Sequence, residues 1–125
     1  VDLVGQGTAK QLESESIAVY SYAHDYARRK GIILADTKLE FGLLDGVLIL
    51  IDELITPDSS RFWDAGKYQP GRSQPNFDKQ YVRDYLDKIK WNRSPPVPEL
   101  PDDVVTNTRS KYIEAYNLLT DCQLS

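Results

Sequence analysis

Hydrophobic residues recur every three or four positions in three segments, which is the spacing of one buried face of an α-helix. This pattern predicts helices over residues 9–30, 77–91 and 102–120. Thr8 precedes the first segment as the expected N-cap, and Gly31 follows it as the left-handed residue that ends a helix. The last segment begins directly after a proline and opens with two aspartates, which favour the positive end of the helix dipole.

Apolar residues run almost continuously over residues 32–44 and 47–53, on either side of Asp45–Gly46. That dipeptide is a strong signal for the turn of a β-hairpin, so the pattern predicts two antiparallel strands. Residues 54–76 show little periodicity and contain several prolines and glycines, so we expect a long irregular loop. The predicted fold is α+β, a single domain over residues 1–125 with an antiparallel hairpin or sheet and helices packed on one face.

The composition excludes several classes of function. In 125 residues, 15 Lys and Arg against 19 Asp and Glu give a formal net charge of -4, which argues against binding nucleic acid through its phosphates. A single Cys excludes an intramolecular disulfide, and a single His excludes a multi-histidine metal site. The longest apolar run, residues 47–51, is far shorter than the ~20 residues of a membrane helix. Because Met is absent even at position 1, we expect a piece of a longer protein, and the single Cys fits the cytoplasm.

Charged residues interrupt the two predicted strands near one end of the hairpin: Asp36, Lys38, Glu40, Asp52 and Glu53. Two interpretations are open. A half-exposed hairpin would place such side chains in solvent, where they need no function. Alternatively, carboxylates that converge with an ammonium would suit Mg²⁺ bridging phosphates, because Mg²⁺ prefers carboxylate, phosphate and water oxygens and Lys is a common point charge for phosphates.

The length of the hairpin loop bears on whether Glu40 and Asp52 can share a metal, because neighbouring residues of a strand point to opposite faces. A two-residue turn at Asp45–Gly46 would leave these two carboxylates on opposite faces. A three-residue loop over residues 44–46, with its glycine left-handed as a bulge residue, would place both on one face with Lys38 across from Asp52. Since a shared metal requires one face, we predict the odd-length loop.

Two further segments offer side chains that bind anions. The segment from Thr56 to Arg61 combines hydroxyls, backbone N–H groups and an Arg fork, which suit a phosphate or carboxylate, although Pro, Asp and Ser are also ordinary turn formers. Asp78, Lys79 and Arg83 lie near the start of the second predicted helix, where the two cations share a face. A solvent-exposed helix face is the simpler explanation of that group.

Five segments, in order along the chain, resemble motifs of the phosphoribosylaminoimidazole-succinocarboxamide synthase (SAICAR synthetase) family, and the last is similar to the fungal-type version. They are residues 31–42, 51–53, 56–63, 78–86 and 108–116. The resemblance implies an ATP-grasp and kinase-like α+β fold. It also implies a ligase of purine biosynthesis that joins L-aspartate to the carboxylate of carboxyaminoimidazole ribotide (CAIR), with ATP and Mg²⁺, giving SAICAR, ADP and phosphate.

The resemblance also implies roles for the residues singled out above. Glu40 and Asp52 are expected to hold Mg²⁺ and the ATP phosphates, and Lys38 to lie beside the transferred phosphoryl group with Asp36 close by. Six further residues are expected to bind the ribotide substrate, and its phosphate is expected to lie on Arg61. The six are Asp58, Ser59, Ser60, Arg61, Lys79 and Arg83.

By the same resemblance the chain is the C-terminal portion of the enzyme, and its partner is the missing N-terminal half. Alone it is expected to hold part of the active site and to be inactive. Two alternatives stay open: another ATP-dependent enzyme with the same Glu and Asp pair, and a fragment with a binding or structural role. No nucleic-acid or membrane partner is expected.

Overall fold

The computed structural model describes residues 3–77 and 79–124, which form three helices and four strands. In chain order these are α1 (Gly5–Arg29), β1 (Ile32–Thr37), β2 (Glu40–Leu44), β3 (Val47–Ile51), β4 (Ser60–Asp64), α2 (Gln80–Lys88) and α3 (Asp102–Thr120). Both strand pairs are antiparallel, so the α+β prediction is confirmed. No helix in the described part of the chain is long and apolar enough to cross a membrane.

The predicted helices are all present, with differences at their ends. Helix α3 has the predicted bounds. Helix α1 begins at Gly5 after Val4, which makes no side-chain capping bond, so the prediction of Thr8 as the N-cap was wrong. Helix α2 is shorter than predicted at both ends. Its start is delayed because the backbone N–H of Phe77 donates to the carbonyl of Phe62 in β4 at 3.1 Å, and at its other end Lys90 has a left-handed φ of 52°.

The strand predicted over residues 32–44 is in fact two strands, β1 and β2, which belong to different sheets. Strand β2 pairs with β3, and β1 pairs with β4. Strand β4 lies inside the segment 54–76, so the prediction of an irregular loop was wrong there. Only two of its five residues are apolar, Phe62 and Trp63, and they are adjacent, so the hydrophobic signal for a strand is weak.

Strand β1 contains an irregularity that re-aims its last residues. Leu34 pairs with Phe62, but the next pair is Asp36 with Arg61, so Ala35 is an extra residue of the bulge type. Without this irregularity, regular alternation would place Asp36 on the same, core-facing side as Leu34. With it, Asp36 shares the outer face with Arg61.

The core lies between this two-stranded sheet and the helices. Ile32, Leu34 and Phe62 are almost fully buried on one face of the sheet, where they meet Ala27 of α1 and Ala115 of α3. Small residues on the two helices let the backbones approach the sheet closely. The helices therefore cover the inner face of β1–β4 and leave the outer face, with Asp36 and Arg61, open.

The hairpin turn differs from the prediction. Leu44 pairs with Val47, so the turn has two residues, Asp45 and Gly46, with φ of 51° and 80°. Positive φ at both positions is typical of a type I′ turn, which matches the right-handed twist of the strands. The predicted three-residue loop was therefore wrong.

Candidate active site

Strand alternation does not decide on which side of the hairpin Asp52 lies relative to Glu40. Strand β3 ends at Ile51, which pairs with Glu40, and Asp52 follows with a left-handed φ of 64°. Alternation applies only to residues in extended conformation. The parity argument therefore fails at Asp52 itself, which has already left the strand.

Lys38 is the point at which the acidic side chains converge. It lies in the short connection between β1 and β2, and its Nζ donates to Oε1 of Glu40 at 2.5 Å. This hydrogen bond and the charge of Glu40 raise the pKa of Lys38, and the charges of Asp52 and Glu53 raise it further. Glu40, Asp52 and Glu53, which we call the acidic end of the hairpin, therefore all act electrostatically on one cation, and Glu40 is the one that bonds to it.

Asp36 and Arg61 form a two-pronged ion pair across β1 and β4. Nε of Arg61 donates to Oδ1 of Asp36 at 2.8 Å, and Nη2 donates to Oδ2. The hydrogen bond from Arg61 is the main cause that lowers the pKa of Asp36. The bulge at Ala35 makes this pair possible, because it turns both side chains to the same face.

The segment before β4 is attached to β1 at the level of Lys38. The backbone N–H of Lys38 donates to the carbonyl of Ser59 at 2.9 Å, and the hydroxyls of Thr37 and Ser60 are 2.8 Å apart. The backbone N–H of Ser60 donates to the carbonyl of Thr56 at 2.9 Å, which closes a tight turn. The acidic end of the hairpin and this turn therefore share Lys38 as a common neighbour.

Most of the predicted substrate residues line one polar pocket of about 260 Å³. Its lining consists of Asp36, Asp58, Ser59, Ser60, Arg61 and Arg83. Lys79 pairs with Asp58 at this pocket, and the hydrogen bond that Lys79 donates to Asp58 is the main cause that raises the pKa of Lys79. Asp78 lies outside the described residues.

The pocket carries the donors that an anion of phosphate size requires. Two hydroxyls and two arginine side chains face a space open to solvent, and both arginines have other interactions that hold them. Within residues 3–77 and 79–124 there is no group of three or more His, Cys, Asp or Glu side chains that could hold a metal ion. The acidic end could therefore offer a metal only part of its ligands, as is usual for Mg²⁺ on phosphates.

Sequence reasoning missed several residues that position this site. Ala35 and Thr37 carry no charge and gave no signal, and Thr56 was marked only as one hydroxyl of the segment to Arg61 and not as the residue that holds its turn. The Thr56–Pro57 sequence before an aspartate and two serines is typical of a hydroxyl-stabilised turn, and this was the available clue.

Comparison with known proteins gives a consistent result. The family model described as SAICAR synthetase matches residues 1–98. A phosphoribosylaminoimidazole-succinocarboxamide synthase of Maridesulfovibrio salexigens is 50% identical over 123 residues, which is 98% of this chain and 41% of that protein. One of Thioalkalivibrio sulfidiphilus is 58% identical over 120 residues, 95% of this chain and 40% of that protein. The chain therefore spans about two fifths of the length of these relatives.

Solved structures agree. The SAICAR synthase from Saccharomyces cerevisiae complexed with SAICAR has a TM-score of 0.89 at 46% identity and covers 99% of this chain, which corresponds to 42% of that one. A type-2 SAICAR synthetase in complex with ADP has a TM-score of 0.66 at 28% identity, over 98% of this chain and 42% of that one.

Proposed function

The chain belongs to the SAICAR synthetase family, and on that premise we propose that it supplies a large part of the active site of an ATP-dependent carbon–nitrogen ligase. The reaction joins L-aspartate to the carboxylate of CAIR in purine biosynthesis. The observation that supports this proposal is the pocket with Arg61 and two serines, attached through Lys38 to the acidic end of the hairpin.

The chemistry requires such an arrangement. A carboxylate is a poor electrophile, so its oxygen first attacks the γ-phosphorus of ATP and ADP leaves. The amine of aspartate then attacks the acyl carbon, the C–N bond forms, and phosphate departs with the former carboxylate oxygen. Both steps bring anions together, so cations that are already in place must offset their charge. Positioning of the two reactants supplies the remainder of the acceleration.

We assign the ribotide to the polar pocket. Arg61 presents a planar fork that matches a phosphate, and Ser59 and Ser60 add hydroxyl donors beside it. Asp58 and Arg83 complete the pocket wall, and Lys79 pairs with Asp58. Support for a ribotide in this family comes from the Saccharomyces cerevisiae structure, which is complexed with SAICAR.

We assign the ATP phosphates and Mg²⁺ to two residues of the acidic end, Glu40 and Asp52. Their side chains provide carboxylate oxygens, which are the ligands that Mg²⁺ prefers. Both carboxylates also raise the pKa of Lys38. When bound, the metal would offset charge on the phosphates. Lys38 would place its ammonium near the phosphoryl group that is transferred, and Asp36 would hold Arg61 in position. The ADP complex of a relative supports a nucleotide in this family.

We further propose that this chain forms the C-terminal portion of the enzyme as one domain, in the cytoplasm, and that the remaining portion packs on the hairpin. Leu44, Val47, Ile49 and Ile51 are all exposed on the hairpin face that also carries Glu40. An apolar face of this kind is normally covered. Because the face continues to Glu40, the remaining portion would border the metal site and complete it.

The test is turnover by a complemented enzyme, in which residues 1–125 replace the matching segment of the Thioalkalivibrio sulfidiphilus relative. We expect SAICAR and ADP in equal amounts from CAIR, aspartate, ATP and Mg²⁺, and no SAICAR when any one is omitted. The chain alone should form none. A folded complemented enzyme without SAICAR formation would contradict the proposal, and ADP formation with another acceptor would favour a different ATP-dependent enzyme.

A further inference from the structure

Glu53 is charged and half-buried, yet the roles proposed above do not use it. It lies in the connector of residues 52–59, which joins β3 to β4. The first residues of this connector belong to the acidic end, and its last two, Asp58 and Ser59, line the polar pocket. The connector has an unusual backbone, because Asp52 and Ile55 both have left-handed φ, 64° and 51°. A β-branched residue rarely adopts this conformation, so the surrounding contacts must hold Ile55 there.

Two contacts hold the connector. The side chain of Ile55 packs against the hydrophobic core, which fixes the connector from the inside. On the polar side, the hydroxyl of Thr56 donates a hydrogen bond to Oε2 of Glu53. An ionised carboxylate can only accept, so this bond commits the hydroxyl proton of Thr56 to Glu53.

With that proton directed at Glu53, the lone pairs of Thr56 Oγ1 can accept hydrogen bonds from the turn of residues 56–60, which we call the pocket turn. The backbone N–H groups of Asp58 and Ser59 donate to Oγ1 of Thr56 at 3.2 Å and 3.3 Å. The carbonyl of Thr56 in turn accepts from the N–H of Ser60, and the carbonyl of Ser59 accepts from the N–H of Lys38. Without Glu53, the hydroxyl could turn its proton to Oγ of Ser59, 3.4 Å away.

We propose that Glu53 is a positioning residue that acts through the Thr56 hydroxyl to hold the pocket turn in register with Lys38. This inference extends the proposed function, because the turn it holds carries the assigned phosphate-binding residues. Glu53 itself contacts neither the ribotide nor the metal in this assignment.

The first experiment uses the 125-residue chain and amide hydrogen exchange. Glu53→Ala should speed exchange at Ser60 and Lys38 by about tenfold, since it removes one hydrogen bond to a charged partner. Thr56→Val should speed exchange there at least as much, since it also removes the acceptor of the N–H groups of Asp58 and Ser59. Exchange in the double variant should be no faster than in Thr56→Val. Glu53→Gln keeps an acceptor oxygen and should stay close to the wild type, as should the exposed control Glu13→Ala.

Ala65 is the reference amide in the same spectra, at the opposite end of the β1–β4 pair from Lys38. Its N–H donates to the carbonyl of Gly31 at the far end of the β1–β4 sheet, at 2.9 Å. We expect its exchange to be unchanged in all variants. Equal acceleration at Ala65 and Ser60, additive effects in the double variant, or failure of Glu53→Gln to restore protection would overturn the inference.

The second experiment measures kinetics in the complemented enzyme. Glu53→Ala should raise the KM for CAIR by about tenfold while the KM for ATP and kcat stay near their wild-type values. Equal changes in both KM values would also overturn the inference. If the wild-type complemented enzyme makes no SAICAR, the proposed function fails, and hydrogen exchange still decides the role of Glu53.

Discussion

Arg61→Lys tests the assignment of the ribotide phosphate to the polar pocket. Lysine keeps the positive charge but presents a single ammonium in place of a planar fork, so it cannot bond Asp36 or a phosphate with two parallel N–H groups. The change therefore separates charge from geometry at the residue that faces Asp36 across β1 and β4.

The structure predicts a small effect on folding and a large effect on binding. The side chains of Arg61 and Asp36 are both 53% exposed, so solvent screens their attraction and the pair contributes about 1 kcal/mol or less to the free energy of unfolding. A hydrogen bond to a charged group that is completed on binding contributes about 1.5–3 kcal/mol. Losing one should raise the KM for CAIR by about ten- to a hundredfold.

The assay is steady-state turnover of the complemented enzyme, with urea unfolding of the chain in parallel. Arg28→Lys is the matched control, because Arg28 is exposed at the end of α1, away from the pocket. A wild-type KM for CAIR in a normally folded Arg61→Lys enzyme would refute the assignment. So would a KM increase of the same size in Arg28→Lys.

Three further predictions follow from buried packing, from the ion pair and from the acidic end. Phe62→Ala should lower the free energy of unfolding by about 3–5 kcal/mol in urea titration, since Phe62 is 1% exposed at the centre of the core; a loss near zero would refute that placement. The pKa of Asp36 is lowered from its ordinary value of 3.8 by Arg61, so the stabilisation from this pair is complete above that pH and is lost as the pH falls through the folded-state pKa. The difference in unfolding free energy between wild type and Asp36→Asn should therefore be present at neutral pH and shrink in acid; a difference that grows in acid would contradict the sign. Glu40→Gln should strongly reduce Mg²⁺-dependent ATP turnover by the complemented enzyme without changing the circular dichroism spectrum, and wild-type turnover would remove Glu40 from the metal site.

Periodicity predicted the helices, because their apolar residues recur every three or four positions. Helix α3 has the expected bounds because an apolar stripe, a preceding proline and acidic residues in its first turn all agree. The hairpin was predicted from Asp45–Gly46, a local signal that depends on few neighbours. These features depend on short-range chemistry, which a single sequence contains.

Features that depend on distant pairing were missed or wrong. Strand β4 and the division of residues 32–44 into two strands follow from which segments pair, and the apolar pattern is the same for either pairing. The Ala35 bulge is visible only as a slip in the register of β1 against β4. The left-handed conformation of Asp52 defeated the parity argument, because alternation assumes that the strand continues.

The site residues were predicted in a different way. Charge and hydroxyl content marked the acidic end of the hairpin and the segment from Thr56 to Arg61, and the family resemblance gave them roles. The contacts that join them could not be predicted: these are the hydrogen bond from Lys38 to Ser59 and the bulge. Neither has a signature in residue type.

A crystal structure of the complemented enzyme with Mn²⁺, ADP and CAIR tests the account most directly, because anomalous scattering locates the metal independently of the protein density. We predict a manganese peak at oxygen-ligand distance, about 2.0–2.2 Å, from carboxylates of Glu40 and Asp52. We also predict the CAIR phosphate on the guanidinium of Arg61. A metal held by other residues, or a CAIR phosphate bound away from the polar pocket, would contradict the account.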